Sequence, residues 1–341
     1  MKQILINADS RNLKDVEDGS VQLIVTSPPY PMIEMWDEMF SEMDPAIRSA
    51  LENCDGNAAF KSMHAILNDV WKECDRVLEN NGFVCINIGD ATRTIGGNFQ
   101  LFSNHTEVIN CFSKMGYSVL PDIHWRKQSN APNKFMGSGM YPAGAYVTYE
   151  HEYILVFRKG GKRVFKGDCK LERQSSAYFW EERNTWFSDL WDIKGTSQVI
   201  GKKKASRERS AAFPFEVPYR LVNMYSVKND TVLDPFCGLG TTNLACIASE
   251  RNGIGVDISD SMITLAIENI SSQAEQINTV IDQRIEAHNR FIDELPEEKR
   301  AKCYTNEPHG FPVKTRQETA IKIRRLKTIE KNDNVFLCEY E

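Results

Sequence analysis

The stretch "TVLDPFCGLGTTNLACIASERNGIGVDIS", residues 231–259, decides how the chain folds. "TVLDPF" (231–236) reads as a short strand, "TTNLACIASERNG" (241–253) as a helix and "IGVDIS" (254–259) as a second strand. Strand, helix, strand in that order is the parallel βαβ unit. At the first turn, Gly238 and Gly240 let the backbone bend sharply and approach a ligand closely. The helix N-terminus that follows is polar enough to face that ligand. The loop is not G-x-G-x-x-G, because Asn243 takes the third glycine position, and no Lys follows as in a phosphate loop. Asp257 ends the next strand, where a carboxylate can accept both hydroxyls of a ribose. The expected ligand therefore carries a ribose and needs no pyrophosphate.

The same alternation runs outward from this unit. "QLIVT" (22–26), "FVCINIG" (83–89) and "EYILVF" (152–157) are near-continuous apolar runs of strand length. "AFKSMHAILNDVWKECDRVL" places Met63, Ile66, Leu67, Val70, Trp71, Cys74, Val77 and Leu78 at helical spacing, and Gly82 is expected to cap that helix in the left-handed conformation. "HTEVINCFSKMGYSV" repeats helix, glycine, strand. The predicted fold class is α/β: a doubly wound, mostly parallel sheet covered on both faces. Residues 260–295 look helical, and "VFLCEY" near the end reads as a strand.

Composition bounds the function. The chain has 341 residues and a net charge of -6, so it is not a generic polyanion binder, and any basic surface is local. The longest apolar runs are too short for a membrane span, and "MKQILINADS" is not a secretory signal. Nine cysteines without a C-x-x-C pair fit reduced thiols in a cytoplasmic protein. The charge is uneven: Arg158 to Arg209 carries 14 Lys and Arg against 7 Asp and Glu, a local net of +7. Tyr178, Phe179, Trp180, Trp186, Phe187 and Trp191 lie in the same stretch. Basic residues interleaved with aromatics fit a nucleic-acid surface, although a solvated loop with a local aromatic core has the same composition.

"TSPPY" (26–30) ends the "VQLIVT" run with a hydroxyl, two prolines and a ring. Proline at 28 and 29 fixes φ and pushes the preceding residues to extended conformations. Together with "DPFCGLGTT", this motif makes the chain similar to the S-adenosylmethionine-dependent amino-methyltransferases of DNA. The blocks "GDATR", "DIHWRKQSNAPN" (122–133), "HEYILVFRK" (151–159), "DLWDI" (189–193) and "AAFPFEVPYRLV" (211–222) extend the resemblance over about 270 residues. The catalytic motif precedes the cofactor loop, which is the permuted order of the β class.

The resemblance implies a methyltransferase Rossmann-like fold with an inserted recognition segment and a helical C-terminal extension. Its expected parts are the catalytic half (1–157), target recognition (158–210), the cofactor half (211–270) and a C-terminal extension of unknown role (271–341). It implies a catalytic set of Ser27, Pro28, Pro29 and Tyr30. An exocyclic amine is a poor nucleophile, because its lone pair is conjugated into the ring. The Ser27 hydroxyl and the Pro28 carbonyl can accept from its two hydrogens, while Tyr30 offers a stacking face to a flipped base. Cofactor contacts are expected from Asp9, Phe215, Asp234, Pro235, Phe236, Gly238, Gly240, Thr241, Thr242 and Asp257. Asp9, Asp234 and Phe215 fit a solvated loop, a turn and a core position equally well.

DNA contacts are expected from Lys202, Lys203, Lys204, Arg207 and Arg209, on duplex DNA and without a metal. Ser at position 27 resembles the cytosine-amine enzymes; the adenine enzymes mostly carry Asp or Asn there. The expected activity is site-specific methylation of cytosine N4, with adenine N6 as the alternative and an inactive nucleic-acid-binding relative as a third reading. A cognate restriction endonuclease, a homodimer and a prokaryotic or phage-encoded cytoplasmic setting complete the expectation.

Overall fold

The computed structural model describes residues 1–127, 136–194 and 213–341. Eleven strands form one sheet. They are β1 (Lys2–Asn7), β2 (Val21–Thr26), β3 (Leu78–Ile88), β4 (Ser118–Val119), β5 (Ile123–Arg126), β6 (His151–Arg158), β7 (Leu190–Asp192), β8 (Thr231–Asp234), β9 (Asn252–Asp257), β10 (Leu326–Asn332) and β11 (Val335–Tyr340). The order across the sheet is β7-β5-β6-β3-β2-β8-β9-β1-β11-β10, with β4 beside β6. The centre, β3-β2-β8-β9-β1, is parallel throughout. Antiparallel strands flank it: β6 on β3 and β11 on β1.

Among the described residues, the α-helices of seven or more residues are α1 (Asp37–Met43), α2 (Pro45–Glu52), α3 (Gly56–Val77), α4 (Asn104–Lys114), α5 (Asp168–Ser175), α6 (Trp180–Trp186), α7 (Glu216–Tyr225), α8 (Thr241–Ala248), α9 (Asp260–Ser272) and α10 (Ala274–Asp293). Along β2, Leu23 and Val25 join one apolar core with α7 and α8, while Val21 and Ile24 join another with α3 and α4. Both faces of the strand are buried, and this is why its sequence does not alternate.

From β2 the chain passes through α3 to β3 on one side; from β8 it passes through α8 to β9 on the other. Neighbouring strands whose connections leave in opposite directions open a crevice at their carboxyl ends. The "SPPY" turn and the glycine loop both begin there.

The expected left-handed cap at Gly82 is replaced. Asn81 takes the positive φ, 76°, and the strand starts directly after α3. Gly82 answers a different need: a Cβ there would stand 2.7 Å from the Leu78 side chain and 3.0 Å from the Gln22 carbonyl.

The described part of the basic, aromatic segment is woven into this sheet. β7 pairs in parallel with β5 at the sheet edge. Phe179, Trp186 and Trp191 are core residues, whereas Trp180 and Phe187 are exposed. Phe179 stacks on His288 of α10 at 3.8 Å, and Glu182 of α6 forms a two-point pair with Arg284. At the other edge, the β10–β11 hairpin extends the sheet beyond β1. Its Phe336 and Cys338 belong to the same core as Ile277 and Ile281 of α10. Among the described residues, no helix is long and apolar enough to cross a membrane.

Candidate active site

A cavity of about 700 Å³ opens at the carboxyl ends of the central strands. Ser27, Pro28, Pro29 and Tyr30 form part of its wall. The two prolines keep the chain out of the sheet after Thr26, so the Ser27 hydroxyl stands at the strand's end rather than in a ladder.

The Tyr30 ring is held from several sides. A Cβ at Gly89, just past β3, would stand 3.0 Å from it, so a larger residue there would press on the ring. The phenol oxygen takes a hydrogen bond from Asn87 Nδ2 at 2.8 Å and donates to Glu152 Oε2 at 2.9 Å. It also lies 3.0 Å from Ser27 Oγ. Burial, and secondarily the Glu152 carboxylate, push the Tyr30 phenol well above the usual tyrosine range. The other Glu152 oxygen pairs with Lys127, and both residues line the cavity.

Asn87, Lys127 and Glu152 are the residues that motif reading missed. They lie inside quoted blocks, but only the buried carboxylate in "HEYILVF" carried a local signal, as a charge inside an apolar strand.

The glycine loop, after the neighbouring strand β8, forms another part of the wall. Gly238, at φ 49°, lines the cavity with Pro235, Phe236 and Thr241. Asp257 also lines it, and its carboxylate accepts from Gly238 N at 3.0 Å and Ser259 N at 2.9 Å. Burial raises its carboxyl pKa against those two donors. A carboxylate has about four lone-pair sites, so each oxygen keeps capacity for a ligand hydroxyl. Asp9 lines the cavity, and the hydrogen-bonded Arg11 guanidinium holds its carboxyl below the usual range.

Asp234 works differently from a surface contact. It is 2 % exposed, and Thr26 and Thr242 each donate to it at 2.6 Å. It therefore ties the end of the catalytic strand to the first turn of α8. Burial, opposed by those hydroxyls, pushes its pKa up to about 6. The folded state thus keeps a proton that the unfolded chain has lost, so stability falls as pH rises from about 4 to about 6, by on the order of 3 kcal/mol. Asp234→Asn should gain stability relative to the parent as pH rises through this window. Thermal melts of both proteins at about pH 5 and pH 7 check this; a constant difference would contradict it.

Three residues expected to touch the cofactor lie outside this wall. Gly240 has φ 73° and caps α8, and a Cβ there would meet Ala266 and Ile270 of α9 at 3.3–3.4 Å. Glycine there meets a backbone conformation and the close packing of α9. Thr242 is spent on Asp234. Phe215 stacks on Tyr219 against the core, while Phe213, two residues earlier, lines the cavity. Lys202, Lys203, Lys204, Arg207 and Arg209 lie outside the described residues. Among the described residues, no group of three or more His, Cys, Asp or Glu could hold a metal ion.

A doubly wound sheet with a strand-ending "SPPY" beside a glycine loop and a strand-ending Asp defines an S-adenosylmethionine-dependent DNA amino-methyltransferase. The chain belongs to the DNA methylase family that groups N6 and N4 methyltransferases, whose profile matches residues 21–268. It is 49% identical over 337 residues to the type II methyltransferase M.MthZI of Methanothermobacter thermautotrophicus, covering 97% of this chain and 93% of that protein. It is 46% identical over 297 residues to the type II methyltransferase M.MjaI of Methanocaldococcus jannaschii, covering 84% of this chain and 96% of that one.

Among solved structures, the DNA modification methylase TTHA0409 of Thermus thermophilus in complex with S-adenosyl-L-methionine is 29% identical, with TM-score 0.61, covering 79% of this chain and 93% of that one. The cytosine-N4-specific PvuII DNA methyltransferase, at 16% identity and TM-score 0.58, shares the fold, covering 84% of this chain and 93% of that one. S-adenosylmethionine is the cofactor. The residues present suit it: a positive-φ glycine beside a cavity, a strand-ending carboxylate with spare acceptor capacity, and apolar Phe236, Ile258 and Met262 in the same wall.

Proposed function

We propose that the protein methylates the N4 amine of cytosine in a specific duplex DNA word, as the modification partner of a restriction endonuclease. One observation carries the choice of base: the residue before Pro28-Pro29-Tyr30 is Ser27, which lines the cavity. By the resemblance, cytosine-amine enzymes mostly carry Ser there and adenine enzymes mostly Asp or Asn. The names of M.MthZI and M.MjaI, both type II methyltransferases, support the restriction-modification setting.

In this reading, the cofactor supplies an electrophilic methyl group on sulfur. Asp257 receives the ribose hydroxyls, Gly238 and Phe236 shape the cofactor wall, and Asp9 stands toward the adenine. Ser27 Oγ and the Pro28 carbonyl accept from the two amine hydrogens and aim the nitrogen lone pair at the methyl group. The cost of flipping the base, a few kcal/mol, is offset in part by stacking on the Tyr30 side of the cavity. Lys202, Lys203, Lys204, Arg207 and Arg209 hold backbone phosphates.

Incubation with unmethylated DNA and labelled S-adenosylmethionine, followed by mass spectrometry of the digested nucleosides, tests the base. The expected product is N4-methylcytosine; N6-methyladenine alone would replace this reading with the adenine one. Neutralising Lys202, Lys203 and Lys204 together is expected to weaken DNA binding and flatten its salt dependence by about 0.9 in log–log slope per lost phosphate contact. An unchanged slope would show that the run is a solvated loop.

A further inference from the structure

Ser27, Tyr30 and Glu152 form a chain of side chains whose proton order the structure fixes. A carboxylate only accepts, so the single Tyr30 phenol proton is committed to Glu152 Oε2, 2.9 Å away. Ser27 Oγ and the same phenol oxygen are 3.0 Å apart. With the tyrosine proton already used, the serine must donate and the tyrosine accept. Asn87 Nδ2 reaches Ser27 Oγ only at 3.4 Å, so the serine keeps acceptor capacity for a hydrogen-bond donor in the cavity. Asn87 locks this polarity: its Nδ2 donates both to Tyr30 Oη at 2.8 Å and to Glu152 Oε2 at 2.7 Å. Burial keeps the Tyr30 phenol neutral, so it can take one proton and pass on another. The far oxygen of Glu152 meets the half-exposed Lys127 at the cavity wall.

We propose that Glu152 is the terminus of a hydroxyl relay, Ser27 to Tyr30 to Glu152, that sets Ser27 as an acceptor and removes the proton of the methylated amine. This rests on the DNA amine-methylation reading and holds for either base, since both amines carry two hydrogens. As the N–C bond forms and the C–S bond breaks, the thioether leaves and the positive charge moves to the amine nitrogen. That nitrogen gives one proton to Ser27 Oγ. Ser27 gives its own proton to Tyr30 Oη, and Tyr30 gives its proton to Glu152 Oε2. The sulfonium charge and the carboxylate charge cancel, and the Glu152 carboxyl later returns its proton to water beside Lys127. Glu152 acts through Tyr30 and Ser27, which makes it a positioning residue as well as the proton's destination.

The test is single-turnover methylation of unmethylated DNA by the full chain carrying Tyr30→Phe, Glu152→Gln or both. Tyr30→Phe removes one oxygen and keeps the ring, so it guards against a folding artefact at Glu152. Each single variant is expected to slow the step by about 100-fold or more. The double variant should be no slower than either single one, because one relay is broken once. Calorimetric affinity for S-adenosylmethionine and equilibrium affinity for DNA should stay at the parent value. A near-parental rate for Tyr30→Phe, multiplying effects in the double variant, or a rate loss fully explained by lost affinity would each overturn the relay. Absence of any amine methylation by the parent protein would remove the function reading and the relay together; parental methylation with unimpaired variants removes the relay alone.

Discussion

Ser27→Ala is expected to cut the single-turnover rate by about 10²–10³-fold, the scale for losing one preorganised polar group at a reacting centre, and to leave cofactor affinity unchanged. The hydroxyl lies at the end of β2, whereas Gly238 follows β8 and Asp257 ends β9, so its loss is expected to remove an acceptor from the amine and nothing from the cofactor. Stability should change little. Tyr30, Asn87 and Glu152 keep their mutual hydrogen bonds without it, and the lost bond to Tyr30 contributes about 1 kcal/mol. Rapid-quench methylation and calorimetry on the same sample separate the two effects. A matching loss in cofactor affinity would mean that Ser27 shapes the cofactor wall instead of the reacting amine.

The second large effect concerns Asp257. Asp257→Ala is expected to weaken S-adenosylmethionine binding by about 1.5–3 kcal/mol, the scale of hydrogen bonds to a charged group, or roughly ten- to a hundredfold in Kd. Two contributions add here. In the proposed cofactor pose the ribose hydroxyls lose their acceptor, and the Gly238 and Ser259 amides lose the carboxylate they donate to. Asp257→Asn keeps one acceptor oxygen and should fall between the two proteins. Calorimetry without DNA measures both variants; unchanged affinity in Asp257→Ala would place the ribose elsewhere.

The sequence alone determined the strand and helix order, the parallel centre of the sheet and the two motifs that meet in the cavity. These are written in contiguous residues: apolar runs such as "QLIVT", glycines where φ turns positive at Gly238, and prolines that stop β2. The place of Asp257 at the end of β9 was legible for the same reason.

What the chain's distant segments do to one another was decided only by the tertiary structure. Tyr30 and Glu152 are 122 residues apart, and Thr26 and Asp234 are 208 apart. Their contacts depend on β3 and β6 pairing beside β2, and on β8 lying on its other side. The raised Asp234 pKa comes from burial, to which no neighbouring residue in sequence points. The packing of α9 against Gly240 was likewise not readable from the glycine loop alone. The aromatic stretch fitted both a nucleic-acid surface and a local core, and only the fold divided it: Phe179, Trp186 and Trp191 are buried, while Trp180 and Phe187 are exposed. Local patterns specify backbone conformation, whereas burial and proton order depend on which elements the sheet brings together. The relay at Tyr30 and the buried carboxylate at Asp234 therefore exist only in the folded chain.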